Sequence, residues 1–205
     1  MLLVGLTGNI AAGKSTVARQ FTALGAALVD ADQLAREAVR PHTPALEAIV
    51  SRWGRAVLSP DGHLDRPVLR QLVFAHPEEL EVLNGIVHPE VARLRDEALA
   101  DARGRGERVV VCDVPLLFER DLAGDYDAVV LVDAPRELRL ERLVHDRGLH
   151  ESEAMAMIAA QMPAELKRAR ADHVIENGGT LDALEARVAE VWAALQARAG
   201  ARAGA

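Results

Sequence analysis

The sequence is poor in cysteine, in aromatic residues and in long apolar runs, and each shortage argues against a class of protein. Its single cysteine, Cys112, excludes an internal disulfide and is typical of a reducing compartment. Aromatic residues make up 3% of the 205 residues, which is few for a protein that stacks single-stranded nucleic acid on aromatic rings. No apolar run reaches the ~18 residues of a membrane-spanning helix.

Positive charge is also scarce. The chain carries 24 Lys and Arg against 31 Asp and Glu, a formal net charge of −7, and only Lys14 and Lys167 are lysines. An acidic protein gains little from the counterion release that drives nucleic-acid binding, so nucleic acid is not an expected partner. The first residues show neither a basic leader nor a cleavage site. The sequence therefore predicts a cytoplasmic protein that binds no membrane, and it indicates no particular oligomeric state.

What the sequence does contain is a regular alternation of apolar runs and helical patterns. Half of the residues are hydrophobic, enough for a real core. Five runs that are apolar on both faces predict buried strands, at residues 2–6, 27–30, 109–114, 128–132 and 173–176. Buried strands separated by helices predict an α/β fold of three layers around a parallel five-stranded sheet.

Two helical stretches interrupt this alternation. The first predicts an insert, and the second, rich in arginine, predicts a cover over the edge of the sheet. The predicted organisation is a core of residues 1–32, 107–134 and 171–199, an insert at 33–106, a cover at 135–170 and a frayed tail at 200–205.

A phosphate-binding motif follows the first predicted strand. Gly8, Gly13, Lys14 and Ser15 match G-x-x-x-x-G-K-[ST], the P-loop of nucleoside triphosphatases and kinases. The glycines let backbone N–H groups surround an anion, and the helix that begins near Ser15 adds its positive end. Lys14 is expected to bind the β- and γ-phosphates and the Ser15 hydroxyl to bind Mg²⁺. ATP with Mg²⁺ is thus the expected nucleotide.

The P-loop leaves the reaction open. The guanine-reading N-K-x-D pattern of GTPases is absent from the sequence, and motor or transporter ATPases are normally larger. A small-molecule kinase is the class we expect. A kinase for nucleoside monophosphates and a non-catalytic nucleotide-binding regulator are the alternatives.

Acidic residues end three predicted strands, at the edge where parallel sheets bind ligands. Asp32 is the candidate base for an acceptor hydroxyl, while Asp30 and Asp32 could also both cap the following helix. Asp113 could bind Mg²⁺ through water or cap a loop. His88 could bind the substrate or cap a helix.

Arginines recur through the predicted cover. Arg136, Arg139 and Arg142 lie three residues apart, and Arg147 follows. On a helix this spacing gives a slowly drifting stripe. The stripe is typical either of a solvated helix whose arginines pair with Glu137 and Glu141, or of a lid that neutralises a transferred phosphoryl group and excludes water.

These motifs, taken in order, resemble the dephospho-coenzyme A kinase family over about residues 2–195. The residues that carry the resemblance are GLTGNIAAGKST at 5–16, DADQLAR at 30–36, DGHLDR at 61–66, HPE at 88–90, DVPLLFE at 113–119, ERLVHDRG at 141–148, Gln161 and ADHVIENGG at 171–179. The resemblance implies ATP-dependent phosphorylation of the ribose 3′-hydroxyl of dephospho-coenzyme A, so that ATP and this acceptor are the expected partners. It also implies that the insert holds the acceptor.

Residue roles follow from the same resemblance. The catalytic set is Asp32 as the base, Lys14, and Arg142 as the lid arginine. ATP is bound by Gly8, Ala11, Ala12, Gly13, Lys14, Ser15, Thr16 and Asn177. Arg36, His88 and Leu116 are candidates for lining the acceptor site. The candidate metal ligands, Ser15 and Asp113, come from the P-loop motif and from the end of a predicted strand. The chain departs from the family where its loop has alanines at 11 and 12, and where Asp146 replaces a second lid arginine.

Overall fold

A five-stranded sheet lies at the centre of the protein, whose computed structural model describes residues 1–74 and 76–203. Its strands are β1 (Leu2–Gly8), β2 (Ala27–Asp30), β3 (Val109–Asp113), β4 (Ala128–Asp133) and β5 (His173–Glu176). The spatial order is β2-β3-β1-β4-β5, and β1 pairs in parallel with both β3 and β4, as β4 does with β5. The predicted sheet is confirmed, and each strand begins and ends within two residues of the predicted bounds.

Helices connect the strands. They are α1 (Lys14–Ala23), α2 (Ala31–Glu37), α3 (Pro44–Trp53), α4 (Arg66–Phe74), α5 (Pro77–Gly104), α6 (Arg136–Glu141), α7 (Glu151–Ala159), α8 (Ala164–Arg168) and α9 (Leu181–Ala203). One π-helical turn, Arg142–Asp146, continues α6. Within residues 1–74 and 76–203, no helix has both the length and the apolar character that crossing a membrane requires.

One face of the sheet packs against α1 and α9. Val130 and Val132 of β4 belong to this layer and are fully buried. Phe21 of α1 is also fully buried, and its ring centroid lies 6.0 Å from that of Trp192 in α9. Because side chains alternate along a strand, Val129 and Leu131 point to the opposite face.

The opposite face is covered by the chain after β3 and by the segment around α8. Leu117 and Phe118 pack there against Val129 and Leu131. Lys167 of α8 is fully buried, and its Nζ lies 2.6 Å from Glu119 Oε1. Burial raises the pKa of Glu119, but the ammonium group and nearby backbone amides hold this pKa below its ordinary value. Both faces are therefore covered, as the three-layer prediction requires.

The chain divides into two compact units. The first is Met1–Val29 with Ala102–Ala205, and the second is Asp30–Asp101. The second unit has its own apolar cluster, formed by α3 to α5 with Ala38 and Val39 after α2, around Ile49 and Leu69. The boundaries expected from the sequence, 32/33 and 106/107, lie three and five residues further along the chain than those of these units.

The end of the chain differs from the expected frayed tail. Helix α9 continues through residues 200–203, while residues 204 and 205 lie outside the described part. Two contacts explain the difference: Ala199 is buried in the core, and Arg202 forms an ion pair 2.5 Å from Asp127. A buried side chain and an ion pair hold the last turns of the helix on the sheet.

We expect Phe21→Ala to lower the free energy of unfolding by about 3–5 kcal/mol, because it leaves a cavity between α1 and α9. Urea unfolding followed by circular dichroism measures this change. Leu24→Ala is the control, since Leu24 follows α1 and is exposed; it should change stability by about 0.5 kcal/mol or less. Equal losses in both variants would contradict this packing.

Candidate active site

The predicted P-loop lies between β1 and α1. Gly8 ends β1, and a side chain there would collide with the Val132 carbonyl of β4. Gly13 precedes α1 with φ of 94°, a conformation that favours glycine. Ala11 also has a positive φ, 59°, which costs an alanine free energy that a glycine would not pay. The loop therefore holds a strained turn directly before the first residue of the helix.

Side chains from distant elements hold this turn by its backbone. Asn177, after β5, donates from Nδ2 to the carbonyl oxygen of Ala12 at 2.8 Å. Arg142 donates to the Ala11 carbonyl at 3.0 Å and to the Asn177 carbonyl at 3.2 Å. Gln161 accepts a hydrogen bond from the Ile10 amide at 2.8 Å. With its carbonyls engaged in this way, the loop leaves its later amides available to an anion.

Lys14, at the start of α1, and Asp113, at the end of β3, form an ion pair. Asp113 is the last residue of β3, and it stands in register with Leu6 of β1. The Lys14 ammonium contacts the Asp113 carboxylate, and both side chains are largely buried. The pair brings together the predicted phosphate-binding lysine and the predicted metal-binding acid.

The residues at this point suit a Mg²⁺ ion that is bound together with phosphates. Ser15 is exposed in the first turn of α1, and Asp113 lies beside its neighbour Lys14. Among residues 1–74 and 76–203, no group of three or more His, Cys, Asp or Glu could hold a metal by itself. Mg²⁺ commonly uses one or two protein ligands, with water and substrate phosphates completing its shell. One hydroxyl and one carboxylate fit that pattern.

The arginine stripe is not a uniform solvated face. Arg142 begins the π-helical turn and contacts the P-loop, Arg139 is buried, and Arg136 is exposed. Arg147 is exposed, one residue beyond the π-helical turn. Of the four, Arg142 is the one that the fold brings to the P-loop.

The remaining predicted residues lie elsewhere in the chain. Asp32 and Arg36 are exposed, in the first and last turns of α2. His88 is exposed within α5 and does not cap that helix. Leu116 is 40% exposed in the segment after β3. Asp32, Arg36 and His88 belong to the second compact unit, and Leu116 belongs to the first.

Asp30 has the capping role that sequence analysis considered for it. Its carboxylate accepts a hydrogen bond from the Gln33 amide at 3.0 Å, which satisfies an otherwise free donor at the start of α2. Asp32 makes no such contact in the described part of the chain. The two acids therefore differ, and Asp32 keeps an exposed carboxylate.

Sequence reasoning missed the contact made by Gln161. This residue stands in the motif series, but it received no role there. Its hydrogen bond with the P-loop joins residues that are 151 positions apart. A glutamine between two helical segments gives no local signal of such a partner, so only the resemblance could have drawn attention to it.

Known proteins match the chain over nearly its whole length. A family model described as dephospho-CoA kinase matches residues 2–183. A dephospho-CoA kinase of Thermobifida fusca is 50% identical over 98% of this chain and 100% of its own length. One of Streptomyces avermitilis is 53% identical over 97% of this chain and 96% of its own. The chain belongs to the dephospho-CoA kinase family.

Solved structures share the fold of this chain. The crystal structure of a Thermus thermophilus protein is 39% identical, with a TM-score of 0.80, and covers 94% of this chain and 96% of its own. A dephospho-CoA kinase from Campylobacter jejuni has the same fold, with a TM-score of 0.66 at 24% identity. It covers 94% of this chain and 96% of its own. The predicted α/β fold around a parallel five-stranded sheet is thereby confirmed.

We expect Asn177→Asp to destabilise this dephospho-CoA kinase family member, because a carboxylate oxygen would replace the amide that donates to the Ala12 carbonyl. Losing a buried hydrogen bond and leaving the carbonyl without a donor costs about 1–3 kcal/mol. The free energy of unfolding in urea at neutral pH measures the loss. Asn84→Asp, at a half-buried position on α5, is the control and should be milder. A variant at position 177 as stable as the parent would contradict the contact.

Proposed function

We propose that this protein transfers the γ-phosphoryl group of ATP to the ribose 3′-hydroxyl of dephospho-coenzyme A. The products are coenzyme A and ADP, and the reaction is the last step of coenzyme A biosynthesis. The observation that carries the proposal is the P-loop, held by Asn177 and Arg142, in a chain that matches proteins of this name from end to end. The name of the relatives supplies the acceptor, and the loop supplies the phosphate site.

The reaction requires a proton acceptor and a means of stabilising negative charge. The ribose 3′-oxygen attacks the γ-phosphorus, the bond between that phosphorus and the β–γ bridging oxygen breaks, and ADP leaves. Asp32, whose carboxylate is exposed, takes the proton of the hydroxyl. Backbone amides of residues 11–16, Lys14 and Arg142 stabilise the charge on the phosphates.

When ATP binds, Lys14 and Arg142 each exchange a protein partner for a phosphate oxygen. Lys14 turns from Asp113 toward the β- and γ-phosphates, and Arg142 leaves the Ala11 carbonyl for a phosphate oxygen. Ser15 and Asp113 would hold Mg²⁺, which supplies charge neutralisation on the triphosphate when bound. Asn177 continues to donate to the Ala12 carbonyl and so holds the loop conformation, while the nucleotide phosphates bind the backbone amides of the loop.

The domain roles and the cell compartment complete the proposal. Residues 33–106 bind the acceptor, with Arg36 and His88 as contributing residues and Leu116 from the segment after β3. Residues 135–170 close as a lid that excludes water from the transferred phosphoryl group. A cytoplasmic location is supported by the cysteine content, because a single cysteine, Cys112, excludes an internal disulfide.

Measurement of ADP release with a panel of acceptors tests the proposal. We expect turnover with dephospho-coenzyme A well above the rate with water alone, and a mass increase of one phosphoryl group in the product. Nucleoside monophosphates should not replace this acceptor. Turnover confined to a nucleoside monophosphate would assign another kinase activity, and ATP binding without any transfer would indicate a regulator.

We expect Asp32→Asn to lower kcat at least ~10²-fold with little change in ATP affinity, because the amide cannot accept the proton. Asp30→Asn is the matched control, since asparagine caps a helix as well as aspartate does. Steady-state kinetics and calorimetric titration with ATP measure the two effects. If the loss of kcat falls on position 30 instead, Asp30 is the base.

We expect Lys14→Ala to weaken ATP binding and to reduce kcat together, because the lysine contacts phosphate oxygens both before and during transfer. Lys167→Met serves as the comparison for losing a lysine, since Lys167 pairs with Glu119 on the far face of the sheet. That variant should have a lower free energy of unfolding, and its folded form should bind ATP as tightly as the parent does. If Lys14→Ala binds ATP as tightly as the parent protein does, Lys14 is not part of the ATP site.

A further inference from the structure

A cavity of about 520 Å³ lies beside the P-loop, at the ends of β4 and β5 and against α6, α7 and α8. Its lining includes Asn9, Asp133, Arg136, Arg139, Glu165 and Arg168. The residues that carry the ATP proposal, 11–16 with Arg142 and Asn177, are absent from the lining. The cavity is large enough for a small organic molecule.

Arg139 is a buried charged group of this lining, and it forms no ion pair in the described part of the chain. Its side chain lines the cavity, yet the residue is only 6% exposed. Nε donates to the Ala134 carbonyl at 3.1 Å, and neither Nη atom has a hydrogen-bond partner among residues 1–74 and 76–203. No carboxylate in that part of the chain lies within 4.0 Å of the guanidinium. Burying a cation without a partner costs free energy unless an anion or water forms hydrogen bonds with it.

The acids around the cavity are already engaged or lie in solvent. Asp133 accepts from Arg168 at 2.8 Å and from the Ala134 amide at 2.9 Å. Glu176 forms an ion pair with the same Arg168. Glu165 and Arg136 are both exposed at the cavity. Burial lowers the pKa of Arg139; Asp133, Glu165 and Glu137 offset this effect only in part, and Arg136 adds to it. Arg139 is therefore a largely buried cation whose charge is compensated only in part.

Asn9 provides a second unsatisfied group in the same lining. It is 4% exposed, and its Oδ1 atom has no hydrogen-bond partner in the described part of the chain. Buried amide oxygens are normally hydrogen-bonded, so this atom needs a donor. The cavity thus presents N–H donors from a cation and one acceptor, with apolar residues such as Ile158 and Met162 between the polar groups.

We propose that the cavity binds a small organic oxyanion, a phosphate monoester or a carboxylate, at a site that adjoins the P-loop at Asn9 but does not include the phosphate-binding residues 11–16. The anionic oxygens accept hydrogen bonds from the Nη atoms of Arg139, and a hydroxyl or amine of the same ligand donates to Asn9 Oδ1. The site does not depend on the proposed kinase activity. Because Asn9 follows the first glycine of the P-loop, an occupant lies next to the loop and can influence nucleotide binding.

Titration calorimetry with inorganic phosphate tests the site, with malonate as the carboxylate probe and sodium chloride keeping the ionic strength constant. Lys14→Ala is the background, because inorganic phosphate is also expected in the P-loop. In this background, adding Arg139→Gln should weaken binding of the preferred probe at least about tenfold, the effect of losing charge-assisted hydrogen bonds. Adding Arg105→Gln, which removes an exposed arginine outside the cavity, should change the affinity less than about twofold.

Thermal unfolding shows whether Arg139→Gln remains folded. In chloride buffer the variant should be at least as stable as its background, because a buried charge without a partner is removed. The preferred probe should raise the Tm of the Lys14→Ala protein but not that of the double variant. If Lys14→Ala abolishes binding of both probes, or if Arg139→Gln leaves the affinity unchanged, the cavity holds water and the proposal is wrong.

Discussion

The hydrogen bonds that hold the P-loop by its carbonyl groups are the constraint on which the candidate site depends. The loop contains two residues with positive φ, and one of them is an alanine, Ala11. Such a turn persists where its surroundings compensate for the strain. Asn177 and Arg142 do so by engaging two consecutive carbonyls. With the carbonyls turned toward these donors, the amides that follow can converge on a phosphate.

The order of the strands explains why these donors reach the loop. β4 lies between β1 and β5 in the parallel sheet. The residue after β5 and the start of the helix after β4 therefore lie at the same edge of the sheet as the P-loop. Asn177 follows β5 directly, and its amide donates to the Asp133 carbonyl at 2.7 Å, which holds it against β4. The ion pair of Lys14 and Asp113 on the β3 side completes the surroundings. The parallel sheet thus supports the loop from both of its neighbouring strands.

Most of the fold and the position of the P-loop could be predicted because their signals are local. Each strand is an apolar run of four to seven residues, and the P-loop is a contiguous motif. The contacts that hold the loop join residues 131 to 165 positions apart, so no local pattern announces them. The arginine spacing predicts a stripe that drifts around the helix, but not what each arginine contacts. A step of three residues rotates a helix position by about 60° from a full turn, so Arg136, Arg139 and Arg142 face solvent, cavity and loop in succession.

The ion pair between Lys14 and Asp113 connects the two roles proposed for these residues. The two side chains contact each other, and both are largely buried. Under the proposed function Lys14 binds phosphate oxygens and Asp113 binds Mg²⁺, so each residue would exchange this contact for one with its own ligand. The same pairing keeps the lysine ordered beside the loop, which reduces the conformational entropy lost when the phosphates bind.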